Sequence, residues 1–417
     1  MRSFEDRLRE ALRQRADSLL PNQPAWEDLL TRPDTAEPSR PGHRLWLAVA
    51  TAAVVVLVPF LVVARYLSRT SHVSVDGGQG QVDPSTSTGS GASGPPDGSL
   101  PAGFSPLSIT RISLRVGWAL GTSLCGTEVC TVLARTRDGG ATWHSVPVPS
   151  GVATSGNDGV SRVRFANASD GWLFGQQVWA THDGGTSWRE VTPLGGPMIS
   201  LEAAHGRVWG LVGSGESPTA TVYAAPVDTD DWKPVGPAAP AIGIALHGRV
   251  GYAAALDGAV IALGPGPASM EERGVPCPAA TVAAVAAPSD SDVAVVCAAD
   301  PGAGSSTKTL VLSHDGGRTW SAAGTAPRGG QTSGLAAAST HTFVVAATSG
   351  ASYLYRTTDG GKTWKAVLTD TGGGAPLTDL GFTDPSHGVV VLGAVPDAEL
   401  LVSSDAGATW TAQVFTP

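Results

Sequence analysis

The octapeptide TRDGGATW at residues 136–143 decides how this chain is read, because four near-copies follow it. They are THDGGTSW (181–188), SHDGGRTW (313–320), TTDGGKTW (357–364) and SSDAGATW (403–410), with the common pattern Ser/Thr-x-Asp-Gly/Ala-Gly-x-Ser/Thr-Trp. Successive tryptophans stand 45 residues apart from Trp143 to Trp188, 44 from Trp320 to Trp364 and 46 from Trp364 to Trp410. The interval from Trp188 to Trp320 is 132, three times 44, so two degenerate units are expected near 232 and 276. Position 232 is a tryptophan in VDTDDWKPV, which keeps Asp230 and Trp232; position 276 is a proline in MEERGVPC, where the motif is gone. The count is therefore seven units, a period that marks a repeat architecture.

The octapeptide has a mechanical explanation. Asp followed by two glycines between short apolar runs is hairpin-turn chemistry, since glycine accepts positive φ without steric cost. The carboxylate and the Ser/Thr hydroxyls hydrogen-bond nearby backbone donors and lock the turn. The tryptophan leaving the turn supplies a large apolar anchor between neighbouring units. Upstream runs such as TVLAR and YLYRT read as the incoming strand, and downstream runs such as HSVPV and KAVLT as the outgoing one. A second landmark (VGWALG, DGWLFG, RVWGLVG, HGVVVLG) and an alternating segment before it (ITRISL, VSRVRF, LTDLGF) add two more strands per unit. Four strands repeated seven times predict an all-β, seven-bladed β-propeller of four-stranded blades.

These octapeptides resemble the Asp-box, or bacterial neuraminidase repeat, shared by sialidases and many unrelated propellers. With the second landmark and the paired cysteines, region 104–417 is similar to the photosystem-assembly-factor-like propellers. The resemblance implies that each box lies on the hairpin between the third and fourth strands, away from a ligand face. Asp138, Asp183, Asp315, Asp359 and Asp405, with Trp143, Trp188, Trp232, Trp320, Trp364 and Trp410, are then structural. It also allows a sialidase-like glycosidase, but the catalytic set does not carry over. ITRISL lacks the Phe and Pro of the sialidase Arg segment, and Tyr223, Tyr252, Tyr353 and Tyr355 all fall inside strand-like runs. No nucleophile elbow, phosphate loop or metal triad is present, and a lone box carboxylate is too few oxygens for calcium. No catalytic residue, cofactor or metal is expected.

Ahead of the repeats the chain changes character. Residues 45–67, LWLAVATAAVVVLVPFLVVARYL, open with an uncharged stretch to Val63, long enough to cross a bilayer core of roughly 30 Å as a helix. Eight arginines precede it, against Arg65 and Arg69 at its far end, so the positive-inside rule puts residues 1–44 in the cytoplasm and the bulk outside. Segment 3–20 fits an amphipathic helix that would dock a cytoplasmic partner or lie solvated. Residues 68–103, rich in Gly, Ser, Thr and Pro, read as a disordered linker. Arginine outnumbers lysine 23 to 4, which points to a GC-rich bacterial genome and a plasma-membrane location.

All four cysteines follow the span, where oxidation is permitted. Cys125 and Cys130 fit a clip across a short hairpin, which leaves Cys277 and Cys297 to each other; four free buried thiols are the alternative. The formal charge of −9 excludes a broadly basic nucleic-acid surface. Within this acidic domain, Arg111, Arg115, Arg162 and Arg164 fall on first-strand positions of units one and two, a candidate ligand patch. The expected function is a membrane-tethered, extracytoplasmic binding or assembly scaffold for a protein or glycan. The alternatives are transmembrane signalling through the N-terminal helix and a divergent cell-surface glycosidase.

Overall fold

The computed structural model describes residues 98–416 apart from 155–158, 193, 214–218, 265–269 and 303. The expected helix at 3–20, the span at 45–67 and most of the 68–103 linker lie outside the described residues. Within them, 28 strands form seven four-stranded sheets, each from four consecutive strands. The blades span 105–146, 160–190, 198–234, 241–272, 281–326, 331–370 and 377–413. Their innermost strands are Ser105–Arg111, Val160–Phe165, Met198–Ala204, Ala241–His247, Thr281–Ala286, Gln331–Ala337 and Leu377–Phe382, each beside the next around a ring that returns to the first.

The second strand of each blade carries the core. In blade 1, Trp118, Ala119 and Leu120 are all buried, yet they serve two different interfaces. Trp118 and Leu120 pack with Val160, Val163 and Phe165 of blade 2, whereas Ala119 packs with Val389, Val391 and Leu400 of blade 7. Successive side chains leave a strand on opposite faces, and a strand sandwiched between two blades is covered on both, hence the near-continuous apolar runs of the second landmark. The described core accordingly falls into seven apolar clusters, one at each blade interface. At the first of these the Trp118 and Phe165 rings stack with centroids 3.8 Å apart.

Among the described residues no strand crosses between blades to shut the ring: blade 1 is built from the first four strands and blade 7 from the last four. The C-terminal tail makes the seam instead. Trp143 donates its N–H to the Thr416 carbonyl at 2.8 Å, Gln413 Nε2 donates to the Gly140 carbonyl at 2.9 Å, and Phe415 packs against Phe104 and Trp143. Packed structure also begins before Phe104, since Leu100 is buried in this same cluster and Ser123 donates to the Ala102 carbonyl.

The boxes sit between third and fourth strands and all five use one wiring. In the first, Asp138 Oδ1 accepts from the Thr136 hydroxyl (2.8 Å) and the Thr142 N–H (3.0 Å), while Oδ2 accepts from the Thr142 hydroxyl (2.6 Å). The same bonds recur around Asp183, Asp315, Asp359 and Asp405. A further bond ties each box to its own blade's first hairpin: the N–H after the box aspartate donates to the carbonyl of Arg115, Ser169, Ser291, His341 or Ser386. This weld explains why box and second landmark travel together in the sequence.

Spacing misplaces one unit. In blade 4 the third strand ends at Leu263 and the fourth begins at Met270, so the third strand gives way to the fourth before 276. Blade 4 is short and the second and third strands of blade 5, Val293–Gly302 and Ser305–Ser313, are long, so the two offsets cancel across the 132-residue interval. Both cysteine pairs are bonded, Cys125–Cys130 across the tip of the second hairpin of blade 1 and Cys277–Cys297 from the blade 4–5 connection to blade 5.

Candidate functional site

Every innermost strand has a β-bulge near its start, at Leu107, Ser161, Ile199, Ile242, Ala283, Ser333 and, two residues wide, Asp379–Leu380. A bulge adds an unpaired residue and re-aims the side chains around it. In blade 7 the extra residue puts Asp379 in the left-handed region at φ 51° and turns its carboxylate, 5% exposed, toward blades 1 and 2.

Asp379 Oδ2 accepts from the Ser108 hydroxyl at 2.5 Å and the Ile109 N–H at 2.9 Å. Its Oδ1 accepts from Arg162 Nη1 at 3.3 Å and Arg164 Nη2 at 3.4 Å. Arg162 and Arg164 alternate along one strand, so both reach the same face, and the bulge at Ser161 sets that face toward the ring axis. Arg164 also pairs through Nε with Glu202 of blade 3 at 3.2 Å and donates Nη1 to the Ile109 and Val163 carbonyls. Four side chains from blades 2, 3 and 7 thus form one ionic network in the throat of the ring.

Burial and pairing act against each other here. Burial pushes the Glu202 carboxyl up, only partly offset by Arg164. Burial would also raise Asp379, but the two arginines with Ser108 and Ile109 hold it below the ordinary carboxylate range. Burial would lower Arg164, and the charges of Glu202 and Asp379 raise it instead. The network divides the axial space in two. A cavity of about 250 Å³ on one side is lined by small groups such as Ser200, Gly243, Ala284 and Ser333. Another of about 260 Å³, toward the boxes, is lined by Thr110, Arg111, Phe165 and Thr383; Arg164 and Asp379 wall both.

Of the four arginines singled out in the sequence, the structure brings Arg162 and Arg164 together and places Arg111 on the wall of the box-side cavity. Arg115 lies apart, exposed on the first hairpin of blade 1, where its carbonyl accepts the Gly139 N–H. Sequence reading missed Asp379 and Glu202. Their only signal is a lone acid on an alternating first strand, in LTDLGF and ISLEAA.

The box acids are committed elsewhere. Both oxygens of each are taken by hydroxyl and amide donors, which depress the carboxyl pKa, to about 2 at Asp405. Among the described residues no group of three or more His, Cys, Asp or Glu is placed to hold a metal. The box tryptophans bind blade to blade: Trp188 Nε1 donates to the Pro147 carbonyl and Trp320 Nε1 to that of Arg273, each in the preceding blade. Trp232 packs edge-on against Trp172. Asp230 of the degenerate box meets Arg189 and His182 of blade 2.

Comparison with known proteins agrees with this geometry. The family model for the BNR/Asp-box repeat matches residues 355–366. No curated protein matches the sequence significantly. Among solved structures, YCF48 bound to D1 peptide superposes with TM-score 0.53 at 19% identity, covering 73% of this chain and 95% of that one. YCF48 from Cyanidioschyzon merolae gives 0.52 at 17% identity, covering 74% and 98%. The GH74 xyloglucanase from Xanthomonas campestris gives 0.37 at 12%, covering 75% and 47%. The chain is thus a seven-bladed Asp-box propeller similar in fold to YCF48.

Proposed function

We propose that the chain is a membrane-tethered, extracytoplasmic and non-catalytic scaffold that binds a protein through the throat of the propeller. The observation that carries this reading is the convergence of Arg162, Arg164, Glu202 and Asp379 on the axis, from positions that the repeat otherwise fills with small or apolar residues. Arg162 remains one-third exposed there, available to an acidic group of a partner. A ring that gathers charged residues in its throat is suited to recognising a folded or extended polypeptide. The similar fold YCF48 is described with a bound D1 peptide. The tether rests on the uncharged stretch to Val63 and the arginine asymmetry, and the two disulfides fit an oxidising compartment.

The test is site-specific photo-crosslinking of the full chain in its native membrane, from Leu380 beside the throat and from Lys362 on a box turn. A discrete protein adduct is expected from Leu380, absent from Lys362 and lost in Arg162→Glu. Equal adducts from both positions, or none from Leu380, would overturn the throat as the binding site. Protease shaving of intact cells checks the tether: the propeller should be released while residues 1–44 stay protected.

A further inference from the structure

A cavity of about 350 Å³ lies on the box face at the seam between blades 7 and 1, walled by Arg111, Leu114, Thr383, His387, Thr411 and Gln413. Arg111 is out of character for its place in the fold. It ends the inner strand of blade 1, paired with Gly117. The residues paired with the equivalent glycine in blades 2, 4 and 7 are Phe165, Leu246 and Phe382. Each lies directly over its glycine: a Cβ on Gly171, Gly251 or Gly388 would meet that side chain at 2.4, 2.6 or 2.8 Å. The architecture therefore fills this position with an apolar group, and blade 1 alone of these four puts a guanidinium there.

That guanidinium is poorly matched by the protein. Its Nη1 donates to the Gly139 carbonyl at 3.3 Å, while Nε and Nη2, both buried, have no acceptor among the described residues. Burial lowers its pKa, and no acidic side chain offsets this. A partly buried cation with two idle donors is less favourable than a paired one. An apolar residue would avoid that cost, as blades 2, 4 and 7 do.

We propose that the seam cavity is a site for an oxyanion, a carboxylate or phosphate group on a small molecule, gripped by Arg111. The planar fork of a guanidinium matches two oxygens of such a group. Rotation of the terminal torsions of Arg111 into the cavity would present Nε and Nη2 to it. Thr383 and Thr411 supply hydroxyl donors on the wall, and Gln413, which bonds the Gly140 carbonyl, links the site to the tail that makes the seam. Arg111 and Thr383 also wall the box-side throat cavity, but Glu202 and Asp379 do not line the seam cavity, so either proposal can fail without the other.

Titration calorimetry of the purified full chain, with inorganic phosphate in one arm and succinate in the other, tests it directly. Saturable one-site binding of at least one probe is expected, and the preferred arm identifies the oxyanion. Arg111→Phe, which installs the residue of blades 2 and 7, should weaken binding at least about tenfold with an undiminished melting temperature. Arg111→Lys keeps the charge without the fork and should also weaken it, so the test survives if the Phe variant misfolds. Absence of saturable binding to the wild type, or unchanged affinity in either variant, would overturn the proposal.

Discussion

The box hairpins and the throat of this propeller are built from the same repeat, yet they follow opposite rules. At the boxes, five turns on five blades repeat one hydrogen-bond pattern to within about 0.2 Å, and each aspartate is consumed by its own turn. In the throat the residue after the bulge changes character from blade to blade: Ser108, Arg162, Ser200, Gly243, Ala284 and Gly334 occupy comparable positions. Repetition holds the ring; departure from it marks the places where the ring meets something else. Blade 3 shows the transition: five residues before Trp232 stands Val227 where the boxes have aspartate, and Asp230, two residues before Trp232, binds blade 2 through Arg189 and His182.

The largest effect should come from breaking the throat. Asp379→Ala would leave Arg164 with one acidic partner, Glu202, and Arg162 with no acidic partner, and strip an acceptor from Ser108 and Ile109, uniting losses in three blades. Removing one member of a buried ionic group costs about 3–5 kcal/mol, readable as a shift in urea midpoint. A loss below about 1 kcal/mol would mean that the network behaves as an exposed surface pair and would weaken its use as a site.

The box acids should make stability depend on pH in the acid range. Their folded-state pKa values are depressed, so their contribution is complete above the ordinary carboxylate range and fades as pH falls through it. At Asp405 that loss runs from about 3.8 down to about 2. Asp405→Asn, measured by thermal unfolding between pH 5 and 2, should flatten the acid limb of the stability curve. The slope has the same sign, at alkaline pH, at Lys308, a fully buried lysine whose ammonium donates to the carbonyls of Ser306, Arg328 and Gly330. Burial pushes it down to about 8. Between that value and the ordinary lysine value the unfolded chain binds more protons, so stability should rise with pH from about 8 to 10.5, and Lys308→Met should abolish the rise.

This contrast also explains what the sequence revealed. Repeated features were legible because five copies of one turn disclose their own chemistry; the Trp lattice found the blades, and even Trp232 sits where the spacing placed it. Arg162 and Arg164 were legible because alternation put both on one face. Asp379 was not, since its role depends on a two-residue bulge and on partners 215 and 217 positions away in the chain. The turn of blade 4 escaped because a short blade is followed by a long one, which a fixed period averages away.

The smallest effect tests the uniformity of the boxes themselves. The residue after the box aspartate is left-handed in all five, with φ 84° at Gly139, 75° at Gly184, 72° at Gly316, 72° at Gly360 and 59° at Ala406. Only the last has a Cβ, and an L-residue in that region costs roughly 1–2 kcal/mol. Part of that gain returns as extra backbone entropy in the unfolded chain, about 0.5–1 kcal/mol for glycine over alanine. Ala406→Gly should therefore stabilise the propeller by about 0.5–1 kcal/mol, seen as a higher melting temperature. The Ala406 N–H donates to the Ser386 carbonyl and its own carbonyl accepts from Arg356 Nε, both backbone groups that glycine retains. A destabilised Ala406→Gly variant would show that this Cβ packs usefully, and that the departure in the last box belongs with those of the throat.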